Sequence, residues 1–454
     1  MRHALLLACA LTLLPVSSHA AEDRVLDIQE VKSASGLSAW LVEDHSVPVI
    51  SLSFIFKNAG SVRDPAGKEG TFQLLSNTLD EGAGPYSSQE FQKILTDKSI
   101  SLGFSSGRDA FGGSVKTLTS EKDTAFELLK LALTQPRFDA EPLSRMRAAN
   151  LSRVRSSLSD PGWIAARIGN AYGFEGHPYA NNAGGTLSSL KRITAHDLRK
   201  ALKDELTKDR LKIAVTGDIS PENLAKTIDY VFSDLENTAN SPDIADFELK
   251  NQGKTYFYAL DVPQTTVQML FPGIGRDNPD YYALQVMNQI FGGGGFGSRL
   301  MESIREKQGL TYGIYSGVGI MDHTSIFTVT SATKTDTVGQ LIESVNAEMK
   351  RMADQPPSQT EIRDAKASIL GSVMLGLTST SSITGMMQSM QSEDLPLDYL
   401  DTLRDHVEAV SAADIARVAS HILQPKAAMM VIVGQKGEKD TQAYTQVPTL
   451  PGAY

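Results

Sequence analysis

Ile193-Thr194-Ala195-His196-Asp197-Leu198 and Val410-Ser411-Ala412-Ala413-Asp414-Ile415 are two writings of one pattern. Each sets a Thr or Ser three residues ahead of an Asp and continues into an apolar helix face, which is the signature of a capped helix start. Each is followed by an apolar, β-type run ending in glycine: Leu211 to Gly217 in the first, Ala427 to Gly434 in the second. The offset is 217 residues at both ends of this match. Gln135-Pro136 with Glu141 and Gln355-Pro356 with Glu361 form a second match at an offset of 220, so only small gaps separate the copies. Two matches in register imply an internal repeat, and therefore two related halves.

Working outward, Trp40 to Val42 and Val49 to Phe56 are short β-branched and apolar runs that predict strands. Glu121 to Leu133 places Ala125, Leu128, Leu129 and Ala132 at helix spacing, and Leu143 to Leu158 is helix-like, with no Gly or Pro. Strands cluster and helices follow. The expected fold is α+β, with two homologous halves, each a mainly antiparallel sheet packed with helices on one side. The expected boundaries are a signal peptide at 1–20, an N-terminal domain at 22–236, a linker at 237–253 and a C-terminal domain at 254–454. The joint from Glu236 to Gly253 is rich in Asn, Ser, Asp and Pro and reads as an exposed linker.

The formal net charge is −10, from 43 basic and 53 acidic residues, which argues against a nucleic-acid or anionic-membrane surface. At the N-terminus Arg2 and His3 precede an apolar run, Ala4 to Leu14, and small residues follow to Ser18-His19-Ala20. This reads as a secretory signal. The run falls short of the ~20 apolar residues that span a bilayer, and no other segment is long and apolar enough. Cys9, the one cysteine, lies inside the signal. A lipoprotein reading of Leu6-Leu7-Ala8-Cys9 would leave too short an apolar core. The mature chain then has no thiol, disulfide or cysteine metal site, which fits export to a bacterial periplasm.

The block Gly70-Thr71-Phe72-Gln73-Leu74-Leu75-Ser76-Asn77-Thr78-Leu79, continued by Asp80-Glu81-Gly82-Ala83-Gly84, resembles the active-site helix of the pitrilysin/insulinase zinc peptidases. That family includes the mitochondrial processing peptidases. It carries the inverted zinc motif H-x-x-E-H at this place, with two His at i and i+4 gripping the metal and the Glu acting as base on a zinc-bound water. The matching positions here are Gln73, Ser76 and Asn77. Amides are poor zinc ligands beside imidazole, and Ser76 has no carboxylate. Taken alone, these residues also fit the polar face of any amphipathic helix. The resemblance further implies a third ligand, a Glu on a later helix, falling within 143–158. That stretch has no acidic residue and carries Arg145, Arg147, Arg153 and Arg155, whose charge would oppose a metal. The His residues after the signal, at 45, 177, 196, 323, 406 and 421, include no two within four positions of each other. No metal or cofactor is expected in this chain.

The second block runs Phe291-Gly292-Gly293-Gly294-Gly295-Phe296-Gly297-Ser298-Arg299-Leu300, then Met301 through Arg305 to Gly309-Leu310-Thr311-Tyr312. It resembles the C-terminal half of the same family, where a Gly-rich segment precedes a helix bearing Arg, then Gly-Leu and Tyr. Arg305 and Tyr312 match the family's pair in type and in their spacing of seven. The resemblance gives them the role of binding the peptide carbonyl and the oxyanion formed on attack. The plainer alternatives are a surface Arg paired with Glu302 or Glu306, and a half-buried strand Tyr. Gly292, Gly293, Gly294 and Gly295 read as a peptide-contacting loop, since glycine lets backbone approach a ligand. A phosphate cradle is the rival, but Gly297-Ser298-Arg299 does not complete a Walker pattern. His177-Pro178-Tyr179 also matches a family stretch and reads as a structural turn.

Family members of this size work as pairs of similar subunits, one with the zinc helix and one with a degenerate helix and the Arg/Tyr pair. The resemblance thus implies a chain inactive alone. It would be the substrate-binding subunit of a heterodimer whose H-x-x-E-H-bearing homologous partner holds the zinc. The alternatives are a stand-alone peptide-binding or chaperone-like protein and a structural envelope protein.

Overall fold

The computed structural model describes residues 24–437 and 443–453. The signal region and Cys9 lie outside the described residues. The first half builds β1 (Gln29–Lys32), β2 (Ser38–Glu43), β3 (Val49–Lys57), β4 (Ser101–Ser106), β5 (Ala110–Leu118) and β6 (Leu211–Gly217) into one sheet of order β1-β2-β6-β3-β5-β4. The second builds β7 (Thr255–Ala259), β8 (Thr265–Pro272), β9 (Thr311–Met321), β10 (Thr324–Thr333), β11 (Met429–Gly434) and β12 (Thr445–Gln446) into a sheet of order β12-β7-β11-β8-β10-β9. Each sheet is mainly antiparallel. The parallel pairs are β2 with β6, and β11 and β12 with β7. The α+β expectation holds.

The two capped starts occur as read. Thr194 and Asp197 exchange bonds at the head of the Ala195–Glu205 helix, and Ser411 and Asp414 do so ahead of Ala412–Ile422. Each helix leads into a central strand ending in a glycine with positive φ, Gly217 at 132° and Gly434 at 157°. A Cβ at Gly217 would stand 2.1 Å from the Val49 carbonyl oxygen, so no other residue fits without moving β3.

The inner strands are buried on both faces. All six residues of β11 are buried, and β6 ends in five buried residues. One helix layer cannot account for that. The second face of each sheet is covered by a helix from the other half. Pro161–Gly173, from the first half, packs on β8 and β11, while Thr380–Ser392, from the second, packs on β3 and β6. Ile164, Ala165 and Ile168 share a core with Leu270, Met429, Val431 and Val433. Gln391 Nε2 donates to the Ile213 carbonyl at 2.9 Å, and Thr384 Oγ1 reaches the Ser51 carbonyl at 3.3 Å.

The joining segment is mostly exposed but not free. Leu249 is buried, Phe247 N–H donates to the His323 carbonyl, and Lys250 N–H to that of Gly173, each at 2.8 Å. The turn at His177-Pro178-Tyr179 bridges the halves. The Tyr179 hydroxyl donates to Asp109 at 2.5 Å and accepts from the His323 N–H at 3.2 Å, and Arg108 lies over its ring. Near the C-terminus, the Gly452 carbonyl accepts from Asn182 in the first half.

Candidate functional site

The short helix Thr71–Ser76 is set by its entry. Gly70 has φ of 89°, and a Cβ there would meet Gly185 Cα at 2.7 Å. Asp64 accepts from Gly70 N–H at 2.7 Å and Phe72 N–H at 3.0 Å, supplying acceptors to the helix start. Burial pushes its carboxyl up to about 7 despite these bonds.

Gln73, Ser76 and Asn77 do converge, and a fourth residue joins them. Gln73 Nε2 donates to Asn77 Oδ1 at 3.2 Å, and Asn150 Nδ2 donates to the same oxygen at 2.9 Å. Arg153 Nη2 closes the chain on Asn150 Oδ1 at 2.9 Å. Ser76 Oγ is buried and bonded to the Gln73 carbonyl at 2.9 Å. Asn150 is 4% exposed, on the same buried helix stripe as Leu143 and Val154. The expectation of an acidic third ligand on this helix gives Asn150 no role. The available signal was a lone amide on an apolar stripe.

This set does not fit zinc. The donors are neutral amides and a hydroxyl, the shared Asn77 oxygen already accepts two N–H groups, and the Arg153 guanidinium is bonded to Asn150. The arginine-rich helix is less uniformly turned to the cluster than its sequence implied. Arg145 pairs with Glu81 at 2.6 Å and Arg147 donates to the Ile193 carbonyl at 2.8 Å, while Arg153 reaches the amides. Asp80, next to Glu81, is raised to about 6 by burial. Among the described residues, no group of three or more His, Cys, Asp or Glu is placed to hold a metal ion.

Arg305 and Tyr312 meet at the other half. Arg305 lies on the π-helical turn Met301–Lys307, and Tyr312 on β9, the edge strand of its sheet. Arg305 Nε donates to the Tyr312 carbonyl at 3.1 Å, and the guanidinium sits 4.7 Å from the Phe296 ring centroid. The pairing of Arg305 with Glu306 is present as a loose ion pair, whereas Tyr312 is not half-buried. Glu302 is taken by Lys307 at 2.6 Å, and Glu306 comes no nearer to Arg305 than 3.9 Å. Tyr312 is 85% exposed.

The glycines before this turn pack against their own chain. A Cβ at Gly292 would meet Ser316 N at 2.7 Å, one at Gly293 would meet Asn288 Nδ2 at 2.5 Å, and one at Gly294 the Gln289 carbonyl at 2.5 Å. Gly295, at φ of 63°, and Gly297 face open space. Next to them, Arg299 pairs with Glu361 through two bonds, of 2.6 and 3.1 Å, and this holds Glu361 down at about 2. Among the described residues, no hydrogen bond or ion pair links the Gln73 cluster to Arg305 or Tyr312.

Residues 192–369 match the family model described as the peptidase M16 inactive domain. Over this stretch the chain resembles the M16 peptidase family. It is 25% identical, over 82% of its length and 86% of the relative, to the non-peptidase homolog YmxG of Helicobacter pylori. It is 24% identical, over 68% of its length and 77% of the relative, to the uncharacterized zinc protease YmxG of Bacillus subtilis. Its fold matches the crystal structure of a peptidase M16 inactive domain from Pseudomonas fluorescens with a TM-score of 0.84 at 26% identity, covering 92% of this chain and all of that one. A protease structure from Helicobacter pylori follows at 0.79 and 18% identity, covering 90% of this chain and all of that one. M16 relatives thus carry both zinc-protease and non-peptidase names. Gln73, Ser76 and Asn77 carry none of the side chains of H-x-x-E-H, in keeping with the relatives named inactive or non-peptidase.

Proposed function

We propose that this chain is the non-catalytic, substrate-binding subunit of a heterodimeric zinc metallopeptidase that degrades or processes peptides in a bacterial periplasm. A homologous partner bearing H-x-x-E-H holds the zinc and the general base. This chain adds Arg305 and Tyr312 to the partner's site.

The observation that carries the reading is the state of that pair. The Tyr312 hydroxyl and both Arg305 Nη groups make no hydrogen bond among the described residues, although Arg305 is fixed by its Nε–H. A guanidinium tethered to the Tyr312 backbone, with Glu306 no nearer than 3.9 Å, and an exposed phenol suit a peptide carbonyl as it gains negative charge. The edge position of β9 adds support, because an edge strand has a sheet neighbour on one side only, and extended peptides bind to such edges.

The test is a tagged pull-down from native periplasm, with the eluate assayed for zinc and for cleavage of a mixed peptide library. A similar-sized partner with H-x-x-E-H, and cleavage only by the pair, is the expected result. Recovery of this chain alone, metal-free and inert, would instead favour a stand-alone peptide-binding protein. Recovery alone but zinc-loaded and active would overturn the account of the Gln73 cluster.

A further inference from the structure

We infer that Phe296 is the positioning residue for Arg305, clamping the guanidinium against its ring so that the charge stays available to a bound peptide. The inference rests on the reading of Arg305 as a peptide donor. Phe296 sits in the turn Gly295-Phe296-Gly297 and is 66% exposed, so core packing does not explain it. Its ring meets the Arg305 guanidinium at 4.7 Å, a distance at which the ring quadrupole attracts a cation.

What holds Arg305 matters as much as that it is held. Its restraints are an aromatic face and the Tyr312 carbonyl, with no carboxylate in hydrogen-bond contact. A carboxylate would fix the side chain and also neutralise it. The ring fixes it without taking a hydrogen bond from either Nη group, and Glu306 approaches Nη1 only to 3.9 Å. The turn carrying Phe296 is itself pinned. On one side Gly292 packs on Ser316. On the other, Ser298 N–H and Oγ both donate to the Gly295 carbonyl, at 3.0 and 2.7 Å, and Arg299 is locked to Glu361. An exposed phenyl ring is therefore presented by a rigid support.

The first arm of the test uses the full chain alone. Phenylglyoxal, an arginine-selective reagent, is reacted with wild type, Phe296→Trp, Phe296→Leu and Phe296→Ala, and modification at Arg305 is followed by mass spectrometry. The clamp predicts that Trp protects at least as well as Phe, while Leu and Ala react about two- to fivefold faster. Leu keeps the apolar bulk without the ring, so Leu protecting as well as Phe overturns the inference, as do equal rates throughout.

The second arm uses the pulled-down complex. Phe296→Leu should lower kcat and Phe296→Trp should restore it. If Arg305→Ala abolishes turnover while Phe296→Leu matches wild type, the clamp is refuted and the functional reading survives. If Arg305→Ala leaves turnover unchanged while the labelling series holds, the clamp stands and the functional reading falls.

Discussion

Asn150 Nδ2 donates to Asn77 Oδ1 at 2.9 Å, and that oxygen also takes the Gln73 Nε2 donor at 3.2 Å. Three amides thus hydrogen-bond to one another at and beside the positions that match the H-x-x-E-H motif. Buried polar groups are tolerated when paired and costly when not. The cluster is a hydrogen-bonded joint between two helices.

If Asn150 stands at the third ligand position, zinc binding can be grafted. Gln73→His, Ser76→Glu and Asn77→His together with Asn150→Glu should make the melting temperature rise with added zinc. Saturation to 100 times Kd would contribute about 2.7 kcal/mol. Wild type should not respond, and the triple variant that keeps Asn150 should respond less. Equal responses from triple and quadruple variants would remove Asn150 from the ligand position.

Tyr312→Phe deletes only a hydroxyl that makes no hydrogen bond among the described residues. Its unfolding free energy should stay within about 0.5 kcal/mol of wild type, as for most exposed positions. Turnover of the complex should fall on the order of a hundredfold, the usual cost of losing an oxyanion donor. Steady-state kinetics beside urea melts of the free chain checks both halves of this expectation.

Glu361 serves Arg299 and also caps its own helix through Ser358. Glu361→Gln should cost about 1–3 kcal/mol, as for a charge-assisted pair at the margin of the core. Its folded carboxyl is held at about 2, below the ordinary value of 4.5. The stabilisation is therefore complete above pH 4.5 and is lost as pH falls through 2. Urea midpoints between pH 2 and 6 should converge for wild type and variant at the acid end.

Tyr179→Phe removes a hydroxyl that donates to Asp109 and accepts from His323. Tyr179 is 1% exposed, so water cannot readily substitute. The expected loss is about 1–3 kcal/mol, read as a lower urea midpoint. An unchanged midpoint would mean that this contact does not hold the halves together.

What the sequence revealed was local. Thr194 with Asp197 and Ser411 with Asp414 report a cap within four residues, and Gly217 and Gly434 report strand ends. The helices expected at 121–133 and 143–158 appear at Lys122–Thr134 and Ala140–Ser157. What stayed hidden was non-local. Nothing near Pro161 or Thr380 says that each helix covers the other half's sheet, although the unbroken run Met429-Met430-Val431-Ile432-Val433 signals a strand covered on both sides. Asn150 was hidden for a related reason, since an amide becomes conspicuous only once its partner Asn77, 73 positions away, is known.

The exchange of covering helices makes the two halves indivisible. Cutting the joint near residue 240 would leave each fragment with a bare apolar sheet face and a stranded amphipathic helix, so neither should persist as a folded monomer in water. Mixed fragments should instead reassociate and melt in one step. The same interlock forbids this chain from swinging open about its own middle, because parting the halves would pull both helices off their sheets. Any chamber formed with a partner would then admit its peptide by movement between subunits, with this chain acting as one stiff jaw.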